Sequence, residues 1–370
     1  MRIAVPRESA AGENRVALVP DSVAKLVKAG FEVAIEHEAG AGATFSDQLY
    51  VQAGGLVAPD FATTCREAEV VLKVQRPNPG EVELLPSASI LIALLQPAMS
   101  GSLFEALAAR GVTSLAMEFV PRITRAQSMD ALSSQANIAG YKSVLVGAAA
   151  MTRLLPMLTT AAGTIAPAKV FILGAGVAGL QAIATARRLG AVVSAFDVRP
   201  AVREQVQSLG ASFIAADMAS AGAETAGGYA QELAHDQHER ELEAIHRHIR
   251  DMDLVITTAQ IPGRPAPRLI TEAMIGDMKP GAVIVDLAAD SGGNCELTQA
   301  GETRVVNGVS IIGAVNLPAT VPFHASQMYS RNLETLVKHL VADEKITINL
   351  EDEITGAMVV THGGSVRARP

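Results

Sequence analysis

The chain has 370 residues, 49% hydrophobic and 18% charged, and a formal net charge of −8. That length is enough for two domains with separate cores. The acidic balance argues against nucleic acid as a partner and against electrostatic docking on anionic lipid. An Ala/Val/Leu-rich composition without Trp suits parallel strands covered by helices on both faces. Cys65 and Cys295 stand far apart, with no CxxC pair and no disulfide framework, which points to a reducing compartment. The longest apolar runs, 87–95 and 144–151, are about half as long as a bilayer span requires, so no direct membrane insertion is expected. The opening MRIAVPRES reads as a short strand and not as a signal peptide.

From residue 1 to about 135, strand-like and helix-like segments alternate. Strands at 3–5 and 32–36 flank a helix at 20–29, strands at 68–74 and 89–95 precede a helix near 103–109, and a further strand spans 113–120. The βα rhythm predicts a parallel sheet, yet it contains no Gly-rich phosphate turn. Next comes 121–141, PRITRAQSMDALSSQANIAGY. Arg122 can hold a phosphate or a carboxamide oxygen in its planar fork, and Asp130 can fix that guanidinium. Gln127 offers a donor and an acceptor without titrating, and Ser133 adds a hydroxyl. No His, Cys or Lys lies between Arg122 and Gly140. The segment therefore suits a site that positions two partners whose reaction needs no proton from the protein. By itself it reads more readily as a surface loop with an Arg–Asp pair. After Asn137, IAGYKSVLVGAAAM is an apolar helical stripe of small residues, which could pack against a second copy or join two domains as a core helix.

Residues 170–179, VFILGAGVAG, are an apolar strand running into a glycine turn, followed by helix-like LQAIATARRLG and a second strand over 191–196 that ends at Asp197. Strand, glycine turn, helix, strand and acid in this order form the context that the dinucleotide fingerprint requires. Gly174 is expected to make the tight turn, Gly176 and Val177 to open the helix where a pyrophosphate rests, and Gly179 to let helix and strand pack closely. Asp197, followed by Val198 and Arg199, is placed to bond the adenosine ribose hydroxyls and repel a 2′-phosphate, favouring NAD(H) over NADP(H). Arg199 works against that preference, because a nearby Arg can accept the phosphate.

Residues 221–228, AGAETAGG, are a bland loop or, with Gly228 and Tyr229 at its end, a lid that excludes water over a nucleotide. His235, His238, His246 and His248 lie in a charge-alternating helical stretch. Two residues apart, His246 and His248 point to different sides, so a solvated helix face is expected and no metal is assigned. Strands at 254–258 and 283–286 bring Ala259, Gln260 and segment 288–293 to the carboxyl edge of a doubly wound sheet, with Ala259 and Gln260 beside the nicotinamide half. After Pro318 and Pro322, a helix at 324–341 and a short tail are expected to pack back on the first domain. The predicted fold is α/β: two doubly wound parallel-sheet, Rossmann-like domains, 1–135 with 318–370 and 136–317, with a cofactor cleft between them.

EFVPRITRAQSMDALSSQANIAGY, ILGAGVAGLQAIATARRLGA, AETAGGYAQEL, ITTAQIPGRPAP and VDLAADSGGNC run in family order across nearly the whole chain. In these motifs it resembles the NAD(H)-binding, alpha-1 type subunits of the proton-translocating nicotinamide nucleotide transhydrogenases, a family related to alanine dehydrogenase. The resemblance implies NAD(H) on this chain, NADP(H) on a partner subunit, and direct hydride transfer between NADH and NADP⁺. Membrane-spanning partner subunits would couple that transfer to proton translocation. Arg122, Gln127, Asp130 and Ser133 would form the catalytic loop over the nicotinamide, Asp197 would be the ribose acid, and Tyr229 would lie in a loop that closes on the nucleotide. The resemblance also implies a cytoplasmic homodimer attached peripherally to the inner face of the cell membrane through its partners.

Alanine dehydrogenase is the rival reading. Arg15 and Lys73 match positions that bind the keto acid in that relative, and Asp290 matches its active-site acid, although all three also read as structural ion pairs. Where that enzyme carries its catalytic His, this chain has Gln96, which cannot carry a proton at neutral pH. A regulatory NAD-binding protein without catalysis would keep the fingerprint but give no reason for the Arg122–Gln127–Asp130 loop.

Overall fold

A computed structural model describes residues 1–214, 235–261, 264–342 and 345–367. The chain divides into two compact units, Met1–Gln135 with Pro318–Pro370, and Ala136–Leu317. The first is built on an eight-stranded sheet in the order Ser365–Val366, Val359–His362, Thr113–Ala116, Ile90–Leu94, Val70–Gln75, Arg2–Val5, Glu32–Glu36, Leu56–Ala58. The two C-terminal strands run antiparallel and the rest parallel. Residues 70–74 are buried without interruption, as a strand covered on both faces must be. One face packs Leu72 and Ile92 with Tyr329, Leu333 and Val337 of helix Pro322–His339. The other packs Val71 and Leu91 with Phe104 and Leu107 of helix Gly101–Ala109. The C-terminal helix thus supplies apolar cover on one face of this unit's sheet.

Most expected boundaries shift by a residue or two, and two of the shifts have a clear local cause. The strand expected over 113–120 stops at Ala116, and Met117–Phe119 turn as a 3₁₀ element. There Glu118 accepts from the backbone N–H of Leu95 (3.1 Å) and Gln96 (2.6 Å), capping the neighbouring strand. The last helix starts at Pro322, whose fixed φ suits a first helical position, and ends at His339, so Val341 pairs with Ile346 in a short antiparallel ladder.

The second unit carries a seven-stranded sheet in the order Ser212–Ile214, Val192–Phe196, Lys169–Leu173, Leu254–Thr257, Val283–Asp286, Val309–Gly313, Thr303–Val306. All neighbours are parallel except the last pair. From Lys169–Leu173 the next strands build outward one way and the later ones the other. The order therefore reverses between Lys169–Leu173 and Leu254–Thr257, the switch point where doubly wound sheets bind ligands.

Helix Ala131–Ala150 carries the chain into this unit. A Cβ on Gly140 would strike the carbonyl oxygen of Ala178, and one on Gly147 would lie 2.5 Å from Leu254 Cδ1. Both glycines are used inside the unit, bringing the helix down onto the helix Val177–Arg188 and onto the sheet. At Gly140 and Gly147 the close approaches are to this unit's own helix and sheet, as the core-helix alternative expects.

The solvated-face expectation for the histidine-bearing helix needs correction. In His235–Ile249, the residues Ala244, Ile245 and Ile249 are buried. His248 Nε2 lies 2.7 Å from Ser194 Oγ, and its ring meets Phe171 edge-on at 4.6 Å between centroids. His246 points elsewhere, to Asp277 Oδ2 at 2.7 Å. Only one side of the helix is solvated, because the other covers the sheet. Among the described residues no cluster of His, Cys, Asp or Glu could hold a metal ion, and no helix is long and apolar enough to cross a membrane.

Candidate functional site

At the second unit's switch point the chain leaves strand Lys169–Leu173 through Gly174, held at φ +94°. That region is open to glycine at little cost and strained for other residues. A Cβ there would also lie 2.6 Å from Thr258 Oγ1, and one on Gly179 would drive into the Gly174 carbonyl. Thr258 in turn donates to the Gly174 carbonyl at 2.9 Å. Gly176 caps the helix Val177–Arg188, and exposed Val177 is its first residue. The turn thus presents backbone N–H groups at a helix start, with no Cβ filling the cradle, which fits the pyrophosphate of a dinucleotide.

Asp197 follows the second strand and reaches back to this turn. Its Oδ2 accepts from Ala175 N (2.7 Å) and Arg199 Nη2 (2.9 Å), and its Oδ1 from Arg199 N and Nε, both at 2.9 Å. The residue pattern placed this acid on a ribose; here it is bonded to its own neighbour and to the turn. Val198 packs partly into the core between them.

Ala259 is pinned through both backbone groups. The Asn294 amide accepts from Ala259 N at 3.0 Å and donates to Ala259 O at 2.9 Å. Fully buried Asp286 accepts from Thr257 Oγ1, Ala288 N, Cys295 N and Thr298 Oγ1, at 2.7–3.0 Å. These two buried groups hold the carboxyl edge of the sheet in place, and neither stands out in the sequence as a site residue. The available signal is position alone, an Asp closing an apolar strand and an Asn after paired glycines. Gln260 is exposed and donates to Leu287 O at 3.2 Å. Gly228 and Tyr229, with the lid of 221–228, lie outside the described residues.

In the first unit, Arg122, Gln127, Asp130 and Ser133 share one turn and the helix start that follows it. The 3₁₀ turn Thr124–Met129 is anchored by buried Ala126 and Met129, while Arg122 and Gln127 are exposed. Asn332 of the C-terminal helix donates to Ser128 O at 2.8 Å and accepts from Ser134 Oγ at 2.8 Å. Asp130 is expected to fix Arg122, and in the structure its carboxylate bonds to Ser133. Asp130 caps helix Ala131–Ala150, accepting from Ser133 N at 2.9 Å and from Ser133 Oγ at 2.5 Å. The Ser133 proton is therefore directed at Asp130, leaving its oxygen as an acceptor.

Arg15 and Lys73 are almost wholly enclosed. Arg15 donates through Nε and Nη2 to Glu13, at 2.8 and 2.6 Å, and through Nη1 to Gln135 at 2.8 Å. Lys73 Nζ lies 3.5 Å from Glu8 and 3.4 Å from Glu81, with no side-chain surface exposed. Burial pushes the Glu8 carboxyl above its ordinary range, against the pull of Lys73 and of the Val74 and Gln75 N–H groups. Asp290 lies in the second unit as the exposed residue of the turn Ala289–Ser291, where Ala289 is buried, and partial desolvation of its carboxyl raises its pKa. Gln96 is exposed in the left-handed region, φ +49°.

Comparison with known proteins accords with this geometry. Residues 4–139 match the N-terminal domain of the alanine dehydrogenase/PNT family, and residues 143–369 its C-terminal domain. The chain is 48% identical over 374 residues to the first part of the NAD(P) transhydrogenase subunit alpha of Rhodospirillum rubrum, covering 99% of this chain and 97% of that one. It superposes on the crystal structure of a transhydrogenase from Sinorhizobium meliloti with a TM-score of 0.91 and 46% identity, over 99% of this chain and 100% of that one. An L-alanine dehydrogenase structure gives a TM-score of 0.84 and 31% identity, over 99% and 96% of the two chains. The chain belongs to the alanine dehydrogenase/PNT family.

Proposed function

We propose that this chain is the NAD(H)-binding component of a proton-translocating transhydrogenase. Similarity to a transhydrogenase alpha subunit, at 48% identity, supports the class. The observation that carries the choice over alanine dehydrogenase is the enclosure of Arg15 and Lys73. The two cations that would clamp a keto acid are engaged by Glu13, Glu8 and Glu81, and Gln96 replaces the proton carrier. What remains is positioning equipment. The Gly174–Gly179 turn and Asp197 would hold the dinucleotide, with Val177, Val198, Arg199, Ala259 and Gln260 along its edge. Arg122 would donate to a carboxamide or phosphate oxygen, and Ser133, its proton held by Asp130, would accept from the carboxamide N–H. Gln127, exposed on the same turn, would meet the nucleotide of the partner subunit. Bound NADH would supply the hydride that NADP⁺ on that partner accepts. Orientation and water exclusion account for such a rate without a protein acid or base.

Coupling to proton movement would lie in membrane-spanning subunits, with this chain docked peripherally on the cytoplasmic side. A homodimer belongs to the same proposal. Leu154, Met157, Leu158 and Ile165, 43–63% exposed on and beside the hairpin Leu158–Thr160 and Gly163–Ile165, give it apolar surface to bury. Mixing the purified chain with NADH and an NADP⁺-loaded transhydrogenase subunit tests the reaction, and transfer should need both components. NADH oxidation by the chain alone, dependent on pyruvate and ammonia, would overturn it. Gln127→Leu should keep NADH binding and slow transfer.

A further inference from the structure

The pairing of Asp197 with Arg199 carries a consequence for nucleotide choice, and it rests on the NAD(H) reading above. An ionised carboxylate has about four acceptor sites. Asp197 accepts four hydrogen bonds from described residues: Ala175 N and the backbone N, Nε and Nη2 of Arg199, all at 2.7–2.9 Å. A ribose diol binds such an acid by donating to it, and no acceptor site is left for those donors. Two of the four bonds come from backbone. The Ala175 N–H is set by the turn, whose Gly174 N donates to Phe196 O at 2.9 Å. The Arg199 N–H is set by Pro200, which starts the 3₁₀ turn Pro200–Val202. Only the guanidinium can leave without unfolding the turn.

It lies close to where a nucleotide would enter. The Arg199 side chain is 13% exposed against 5% for Asp197, so the acid is the more enclosed of the pair. Arg199 Nη2 also stands 4.0 Å from the Cβ position of Gly176, at the mouth of the glycine turn. A guanidinium that lets go of Asp197 there remains a fixed positive charge beside the ribose, and arginine is the residue that recognises phosphate in this setting.

We infer that Arg199 is the residue that sets how strongly this chain distinguishes NAD(H) from NADP(H). Its guanidinium masks Asp197 until an adenosine ribose displaces it, and once displaced it is a counter-charge for a 2′-phosphate. Arg199 therefore weakens NADH binding and rescues NADPH binding, making the preference smaller than Asp197 alone would give.

Equilibrium titration of wild-type chain, Arg199→Ala and Arg199→Lys with NADH and with NADPH tests this. Arg199→Ala should bind NADH about tenfold more tightly and NADPH about tenfold more weakly, the scale of one charge-assisted hydrogen bond. Arg199→Lys retains the charge without the planar fork, so NADH should tighten while NADPH binding is kept. It also serves as the second variant should the alanine protein fail to fold. Weaker NADH binding in Arg199→Ala would overturn the inference, since Arg199 would then make a contact that every nucleotide needs. An unchanged NADH-to-NADPH ratio in both variants would overturn it as well, with the NAD(H) reading intact. Wild-type chain that binds neither nucleotide would overturn both.

Discussion

Asp130 illustrates how a residue chosen for one role is held by another. Each of its oxygens accepts one hydrogen bond from Ser133, three residues on, in the geometry of a helix N-cap. Removing such a cap costs about 1 kcal/mol, so Asp130→Ala should lower the melting temperature by a few degrees in a thermal scan. Because the capped turn presents Arg122 and Gln127, the same variant should lose more transfer rate than NADH affinity. Gly179 makes a sharper case. A methyl there meets the Gly174 carbonyl, a backbone atom that cannot step aside. Gly179→Ala should cost about 1–3 kcal/mol of stability as overpacking and weaken NADH binding measured by titration. Unchanged NADH affinity would mean that Gly179 plays no part in the cofactor turn.

Elements here are shaped by what they must cover. The helix Ala131–Ala150 places Gly140 and Gly147 against the second unit's own helix and sheet, so a side chain at 147 has to displace Leu254. Gly147→Val should destabilise the protein by about 1–3 kcal/mol without altering its oligomeric state. The hairpin over 158–165 behaves oppositely, since its strands are exposed along their whole length. Paired Leu158→Glu and Ile165→Glu substitutions should leave the melting temperature of the fold nearly unchanged. If the proposed homodimer buries this hairpin, the same pair should shift sedimentation toward monomer, and an unshifted profile would locate the dimer contact elsewhere.

For the whole molecule, pH dependence follows from a few buried groups. His248, packed between Ser194 and Phe171, is held below its ordinary value of 6.5 by burial, with Lys169 adding to the effect. A histidine kept neutral by the fold contributes stability above its unfolded pKa and loses it as pH falls through the folded value. Asp352 acts further down. Burial raises it, but the Thr355 N–H and His339 outweigh that and hold it below 3.8, so its contribution is lost in stronger acid. Glu8, raised above 4.5 by burial, runs the other way: what it contributes is present below 4.5 and lost as pH rises through its folded value. Between about pH 7 and about pH 5 the loss from His248 is opposed by Glu8 and by His238, which its hydrogen bond to Glu241 holds above 6.5. His248→Asn should therefore make melting temperature fall less over that range than it does in the wild type. An identical slope in the variant would remove His248 as its source.

How much of this was legible in the sequence depends on the range of the interaction. The glycine turn, the strands around it and the acid closing the second strand are local, because backbone freedom and periodicity act over a few residues. They gave the α/β class and the nucleotide turn directly. The residues of the 121–133 segment were legible as types and not as partners. Asp130 chose Ser133 because a helix begins there, and that helix start is anchored by Asn332, some two hundred positions away in the chain. Asn294 beneath Ala259, Asp286 beneath the sheet edge, and Arg199 over Asp197 are choices among several possible partners that close packing made. Likewise Arg15 and Lys73 read in sequence either as a keto-acid clamp or as ion pairs, and the fold encloses them with Glu13, Glu8 and Glu81. Composition and spacing determined which elements form and where a dinucleotide fits. Tertiary structure alone decided which polar groups are spent on one another, because a buried donor or acceptor takes whichever partner the packed chain brings within about 3 Å.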